Sequence, residues 1–487
     1  MNEMKADLVI KNGLVCAGGK LIKGGIASKD GKIIKIGVEE DLPEASQVYD
    51  AKGNLILPGI IDPHTHLGLD KSEEGEVYGD PRFEKDCETE SKAAVVGGCT
   101  TFNTTVLNTD PGDFHDKFEA VRDAWKNAYC DMKYYGGVAN DKEVAQFNEY
   151  RKEGLLSTPK LYLGFRGAAA AVFGHPIDGY TNDFVYRACR DFSAQDGVLN
   201  VMVHAEDTFV KEEVEKVVRD QQPVGENWAE VFNQYNPGVC EAMDLCKTAY
   251  ISDFTNCPLY VVHISAKETV EHLEWFLNRG FRITGETCLH YLIFSTDDPI
   301  AYTSREWNYQ AKVSPPIRRA ADRDALWEGI RKGVITCVGT DHTNYSPWVN
   351  KLDGGSFWEV QPGCGDGMSL LMTGVFSEGV HKRHVLDVPA FCKLMSENPA
   401  KAMGIFPQKG ILQEGSDMDV VVFDPDKEWT FNSEETYSTH YGSLYEGMTF
   451  KGKPMASFVR GIHVVEDGKV IIDKPIGEYV YNAEQKA

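Results

Sequence analysis

Six side chains able to hold a metal ion occur in a fixed order along this chain: His64, His66, Lys160, His204, His263 and Asp341. All but the lysine stand just after an apolar run that reads as a buried strand. Polar residues capping successive parallel strands converge on one rim of a barrel, so the series predicts a two-metal hydrolytic site. In Leu55-Ile-Leu-Pro-Gly-Ile-Ile-Asp-Pro-His-Thr-His the period of two of an extended segment puts His64 and His66 on one face. Both imidazoles then reach a single ion while Thr65 points away. His204 closes Val198-Leu-Asn-Val-Met-Val-His and precedes Ala-Glu-Asp, and His263 closes Leu259-Tyr-Val-Val-His. Asp341 ends Val334-Ile-Thr-Cys-Val-Gly-Thr-Asp. A carboxylate there binds a metal through one oxygen and takes a proton from bound water through the other.

Each member also has a plainer reading. Taken singly, the His-x-His is a pair of loop histidines, His204 or His263 is a hydrogen-bonded rim histidine, and Asp341 is a helix cap or a rim salt bridge. Lys160, in Ser157-Thr-Pro-Lys-Leu-Tyr-Leu-Gly-Phe, reads from its spacing as a surface lysine. A free ammonium repels a divalent cation. Converted by carbon dioxide into a carbamate, the same side chain becomes an anionic bridge between two metals.

The elements that must position these groups follow from the pattern. Residues 5 to 57 alternate with the strand period between Gly and Asn-Gly turns, and the far end repeats that texture in Met418-Asp-Val-Val-Val-Phe-Asp and His463-Val-Val-Glu-Asp-Gly-Lys-Val-Ile-Ile. These ends, 1–57 plus 408–487, are expected to form one β-sandwich domain. Between them, in 58–407, apolar strand-like runs alternate with helix-like segments such as Thr269 to Asn278 and Ala321 to Lys332. That alternation predicts an α/β fold with a parallel sheet, and its length suits a (β/α)8 barrel. A doubly wound sheet is the competitor, but it carries a glycine-rich phosphate loop after its first strand where this chain has histidines.

Composition narrows the function classes. Fifty basic against 74 acidic residues give a formal net charge of −24, which argues against nucleic-acid backbones and anionic membranes and favours a small-molecule substrate. The amino terminus shows no signal-peptide pattern, and no run of eighteen or more apolar residues occurs. The twelve cysteines are scattered without C-x-x-C pairs, so free thiols in a reducing cytoplasm are expected.

Taken in order, the His-Thr-His, Lys160, Val-His-Ala-Glu, Val-His-Ile-Ser and Gly-Thr-Asp-His segments resemble the amidohydrolase superfamily, and above all its cyclic amidohydrolases, the dihydropyrimidinases and D-hydantoinases. Gly285-Glu-Thr-Cys-Leu-His-Tyr-Leu, Lys312-Val-Ser-Pro-Pro-Ile-Arg and Glu397-Asn-Pro-Ala-Lys-Ala-Met-Gly-Ile extend the likeness over nearly the whole chain. The resemblance implies a (β/α)8 barrel flanked by a β-sandwich from both termini, and two divalent ions, usually zinc. His64, His66 and Asp341 would hold one ion, His204 and His263 the other, and carbamylated Lys160 would bridge them. Two cations sharing a water make hydroxide available near neutral pH to attack an amide carbonyl, with Asp341 as general base and acid. It further implies a homotetramer, with the segment near Pro475-Ile-Gly-Glu-Tyr reaching a neighbour.

Departures from the family pattern fall on the substrate side. Where those enzymes carry a tyrosine that donates to the oxyanion, this chain has Phe165, followed by Arg166. Tyr162 and Arg166 are the nearest replacements, their plainer readings being a core tyrosine and a solvated arginine. Gln361-Pro-Gly-Cys-Gly-Asp replaces a Pro-Asn-Gly-Gly turn, leaving backbone contacts from Gly363 or Cys364, and Ser314 matches a further main-chain contact. The stretch Gly167 to Asp183 reads as a lid or a plain surface loop, and His175 within it is a candidate substrate contact. The function expected is the opening of a hydantoin- or dihydropyrimidine-like ring. Alternatives are an allantoin-, dihydroorotate- or lactam-like ring, a metal-dependent decarboxylase, and a non-catalytic dihydropyrimidinase-like binding protein.

Overall fold

The computed structural model describes residues 5–68, 80–106, 113–167, 170, 175–194, 199–221, 227–344, 356–360, 362–365, 367–440 and 442–482. Five strands open the chain: β1 Ala6–Ala17, β2 Lys20–Lys29, β3 Lys32–Gly37, β4 Ala45–Asp50 and β5 Leu55–Pro58. Nine short ones follow: β6 Ile60–His66, β7 Cys99–Val106, β8 Asp131–Gly137, β9 Leu156–Tyr162, β10 Val201–His204, β11 Leu259–Val261, β12 Ile283–Cys288, β13 Cys337–Gly339 and β14 His342–Thr343. Four more close it: β15 Val420–Thr430, β16 Thr449–Val459, β17 Ile462–Glu466 and β18 Lys469–Val470.

The middle strands pair in parallel in the order β13-β12-β11-β10-β9-β8-β7-β6-β14. β13 and β14 are two parts of one strand, broken by Thr340 and Asp341, and they pair with opposite ends of the row. That break closes the sheet into an eight-stranded (β/α)8 barrel. β6, β7, β8 and β9 are buried along their whole length, as parallel strands covered by helices must be. Between them lie helices such as Asp141–Lys152, whose Asn140 cap accepts from the Glu143 N–H, and Ala320–Lys332, ended by Gly333 at φ 73°.

Both termini share the second sheet, in the order β18-β17-β16-β15-β5-β1-β2-β3, with β4 added to β1. It curls over a core of Leu8, Ile10, Ile26, Ile56, Val422 and Phe458, and Tyr49 of β4 meets Phe458 of β16 edge-on at 5.3 Å. The expected sandwich is therefore one hydrogen-bonded sheet folded on itself. The chain crosses into the barrel at Gly59, where a Cβ would lie 2.1 Å from Thr100 Oγ1.

Buried ions fasten the two parts. Lys409 Nζ lies 2.8 Å from Asp419 and 3.1 Å from Asp417 and also pairs with Asp131 of β8, which Arg460 contacts from the sandwich. The ammonium already fills the space among those three carboxylates. The Pro475–Tyr479 segment lies along its own barrel. Gly477 N–H donates to Ala128 O (2.8 Å), Val480 N–H donates to Met132 O (2.9 Å), and Tyr479 is buried. All twelve cysteines are free thiols, and among the described residues no helix is long and apolar enough to cross a membrane.

Candidate metal centre

The strand ends bring the six residues into one barrel mouth as two adjoining clusters. His64 and His66 leave β6 on the same side, with their Nε2 atoms 3.1 Å apart. Asp341 Oδ1 lies 3.3 Å from the first and 3.1 Å from the second, and Lys160 Nζ is 2.5 Å from His64 Nε2. In the second cluster His204 Nδ1 faces His263 Nε2 at 3.0 Å, and the His263 ring lies 5.5 Å from that of His64. Lys160 is not a surface residue. It is fully buried in β9, pointing into the barrel in register with Met202, while Tyr162 pairs with His204 one step along. Asp341 and His263 both have positive φ, 50° and 40°. Holding a non-glycine residue there costs of the order of 1–3 kcal/mol, a strain that the surrounding bonds must enforce.

Three buried carboxylates supply those bonds. Asp62 accepts the Thr340 N–H (3.1 Å) and hydroxyl (2.6 Å), fixing the break from which Asp341 projects. Glu286 Oε1 meets His64 Nδ1 at 3.1 Å and accepts the His263 N–H at 3.3 Å, while its other oxygen takes the Tyr260 hydroxyl at 2.6 Å. Glu206 Oε2 meets His204 Nε2 at 2.6 Å. Each histidine so engaged turns its other nitrogen toward the centre.

Burial lowers the pKa values of all four histidines, those of His64 and His263 far below the ordinary value, so the imidazoles are neutral. Burial also pushes Lys160 down to about 8, against the pull of Asp341 and Glu286. The same burial would raise Asp341, but His64, His66 and His263 around it hold it well below the usual carboxylate range. The His64 and His66 Nε2 atoms stand 3.1 Å apart with the anionic Asp341 oxygen 3.1–3.3 Å from them, and His204 Nδ1 faces His263 Nε2 at 3.0 Å, so ring nitrogens and a carboxylate converge as a divalent cation requires. His66 Nδ1, buried with no partner among the described residues, adds an unsatisfied donor set. His64, His66 and Asp341 thus form a candidate metal site, their ligand atoms all within 4.8 Å of one another.

On the substrate side the expected residues divide. The half-buried Phe165 ring lies 5.1 Å from that of His204. Tyr162 sits under Lys160 Nζ at 4.4 Å, but its hydroxyl is 3.0 Å from Thr105 Oγ1. Arg166 is paired with Glu212 at 2.8 Å and lies over the Phe209 ring. Ser314 Oγ donates to Glu206 (3.1 Å), the Gly363 N–H donates to Lys312 O (3.0 Å), and the Cys364 carbonyl accepts the Thr343 N–H (2.8 Å). His175 stacks on Tyr162 at 4.5 Å, with Nδ1 3.2 Å from the Tyr180 hydroxyl. Residues 168–169 and 171–174 of the expected lid, Gln361 and Asp366 of the altered turn, and 483–487 of the tail lie outside the described residues.

A sequence profile described as the amidohydrolase family matches residues 260–470. The chain is 28% identical to an L-hydantoinase of Paenarthrobacter aurescens over 99% of its own length and 96% of that protein's. It is 29% identical to an allantoinase of Salmonella choleraesuis (strain SC-B67) over 99% and 100%. The crystal structure of the L-hydantoinase (dihydropyrimidinase) from Arthrobacter aurescens superposes with a TM-score of 0.86 at 25% identity, covering 98% of this chain and 100% of that one. The chain belongs to the amidohydrolase superfamily.

What the sequence of this amidohydrolase did not announce is its tier of carboxylates. Asp62 and Glu206 stand two residues from a histidine of the barrel mouth, and Glu286 lies inside Gly285-Glu-Thr. The signal was there: a carboxylate two positions from a histidine in an extended segment shares its face. For Glu286 the signal is the one charged residue in a short barrel strand, Ile283–Cys288, since isolated charges are rarely fully buried.

Proposed function

We propose that this protein is a metal-dependent hydrolase that opens a cyclic amide, imide or ureide, a hydantoin- or dihydropyrimidine-like ring. The observation that carries this reading is the meeting of four neutral imidazoles, an anionic Asp341 and a buried Lys160 in one barrel mouth. In this reading His64, His66 and Asp341 hold one ion, His204 and His263 the other, and Lys160 joins them as its carbamate. Two bound divalent cations, zinc being the expected pair, acidify a water and polarise the ring carbonyl.

The chain's own groups do the rest. Lys160, brought to about 8 by burial, keeps a minor fraction of its amine uncharged near neutral pH. That amine adds to carbon dioxide with loss of one proton, exchanging an ammonium for two anionic oxygens. Asp341 takes the proton of the attacking water and returns it to the ring nitrogen as the C–N bond breaks, so that a neutral ureide nitrogen leaves rather than its anion. Glu286 keeps His64 turned toward the centre. Ser314 and the Gly363–Cys364 backbone flank the ring.

An allantoin-like substrate is the second reading, favoured by the allantoinase likeness, which matches the hydantoinase one in identity and coverage. Both rings are five-membered, and they differ in the group outside the ring. Metal-loaded protein mixed with hydantoins, dihydrouracil, allantoin and dihydroorotate tests the proposal by product mass, which also separates hydrolysis from decarboxylation. Failure to open any member overturns it. Two ions per chain are expected, where a binding protein would hold about none. A homotetramer belongs to the same reading. The outer face of the helix Gly238–Thr255 exposes Val239, Met243, Tyr250 and Phe254, apolar surface that association would cover, and light scattering checks the mass.

A further inference from the structure

We propose that Glu206 is a positioning residue that ties the second ion's histidines to the ring-binding segment at Ser314, so that one carboxylate holds both ion site and substrate site in place. The proposal rests on the two-ion reading above. Four donors converge on the fully buried Glu206: His204 Nε2 at 2.6 Å, Asn236 Nδ2 at 2.5 Å, Ser314 Oγ at 3.1 Å and Lys211 Nζ at 3.4 Å. An ionised carboxylate only accepts, with about four lone-pair sites, and all of these partners donate. A glutamine of the same shape would set its NH2 against another donor.

The bond to Glu206 commits His204 Nε2 as the donor, which leaves the lone pair on Nδ1, the atom facing His263 Nε2 at 3.0 Å. Gly164 shows how closely this pair is packed: a Cβ there would lie 2.1 Å from His204 Nε2 and 3.0 Å from Glu206 Oε2. The network continues past the carboxylate. The Asn236 carbonyl accepts from Arg318, Arg318 Nε donates to Ser265 Oγ at 3.1 Å, and Ser265 Oγ donates to Glu241 at 2.5 Å. Ser265 is two residues beyond His263, so both histidines of the second cluster hang on one chain of charge-assisted bonds. Ser314 joins that chain through its hydroxyl, which leaves its backbone to meet the ring.

The experiment uses full-length protein loaded with cobalt(II). Ions per chain, affinity by chelator competition, the cobalt absorption, and kcat and KM for hydantoin are measured side by side. Glu206→Gln is expected to weaken the second ion 10–100-fold, leave the first unchanged, and raise KM even when cobalt is saturating. Ser314→Ala is expected to raise KM with both ion affinities intact, and Ser314→Thr, which keeps the hydroxyl, to restore it. Two ions bound by Glu206→Gln with wild-type affinity, or an unchanged KM in Ser314→Ala, overturns the proposal. Should Glu206→Gln not fold, Asn236→Leu is read in the same way, with a few-fold weakening expected and none being fatal. Wild-type protein holding fewer than two ions would instead bring down the two-ion reading, and this one with it.

Discussion

Replacing Phe165 by tyrosine tests whether this active site works without a side-chain donor to the oxyanion. The three candidate replacements, Tyr162, Arg166 and His175, are all otherwise engaged. Tyr162's hydroxyl is at 3.0 Å from Thr105 and Arg166 is paired with Glu212 at 2.8 Å. His175 is neutral, burial and then Lys160 pushing it down to about 3. Its single proton is placed by its neighbour: the Tyr180 hydroxyl donates to Val138 O at 2.9 Å and so accepts from His175 Nδ1, which leaves Nε2 an acceptor. One oxyanion donor is worth about 2.7–4 kcal/mol, or roughly 100- to 1000-fold in rate. A phenol set on the half-buried ring beside His204, without bonds evolved to aim it, should recover at least about a tenfold rise in kcat, ~1.4 kcal/mol. KM should hardly move, because the interaction strengthens only as charge develops on the carbonyl oxygen. Steady-state kinetics on hydantoin, with ion content and melting temperature matched to wild type, provide the assay. An unchanged or lower kcat would refute the reasoning and make Phe165 a wall of the pocket rather than the place of a missing donor.

Glu286→Gln should weaken binding of the ion held by His64 about 10–100-fold and leave the ion at His204 and His263 in place, read by chelator competition. Stripping the protein with chelator and reloading it in carbon dioxide-free buffer should yield low activity that bicarbonate restores, with a carbamate carbon resonance appearing in a 13C spectrum. Equal activity with and without bicarbonate would exclude the role given to Lys160. Lys409→Met should cost about 3–5 kcal/mol of stability in denaturant unfolding, because it leaves Asp419 buried without its cation and Asp131 with Arg460 alone, while ion content stays unchanged. The same joint sets a pH window. Lys409 is raised above its ordinary 10.5, chiefly by Asp419 and Asp417 against the effect of burial. Its contribution is complete below 10.5 and fades as pH climbs through the folded value. Asp417 is lowered from 3.8, Lys409 and Lys32 overcoming burial, so its contribution is present above 3.8 and is lost as pH falls through the folded value. Asp419, raised by burial, works against it at the acid end. The difference in stability between wild type and Lys409→Met should therefore be largest between those limits, and a difference flat from pH 3 to pH 11 would count against the network.

The barrel was legible because its strands announce themselves twice, as apolar runs buried on both faces and as places where a polar residue ends the run. His64, His66, His204, His263 and Asp341 all obey that rule. Lys160 does not, since it lies inside β9 rather than beyond it, and only the family resemblance lifted it above a surface lysine. The carboxylates escaped for a different reason. Asp62, Glu206 and Glu286 are defined by partners 278, 108 and 222 residues away, Thr340, Ser314 and His64, and no local period encodes a bond of that span. The Pro475–Tyr479 segment is placed in the same way, by backbone bonds to Ala128 and Met132 that hold it at the foot of its own barrel. Arg166 was misleading in a third way. Its place beside Phe165 in sequence suggests a shared duty, but in the turn that follows β9 Phe165 meets His204 while Arg166 pairs with Glu212 and lies over Phe209. In the proposed reading, what remains of substrate recognition falls to backbone and to shape, the two properties that a single sequence encodes most weakly.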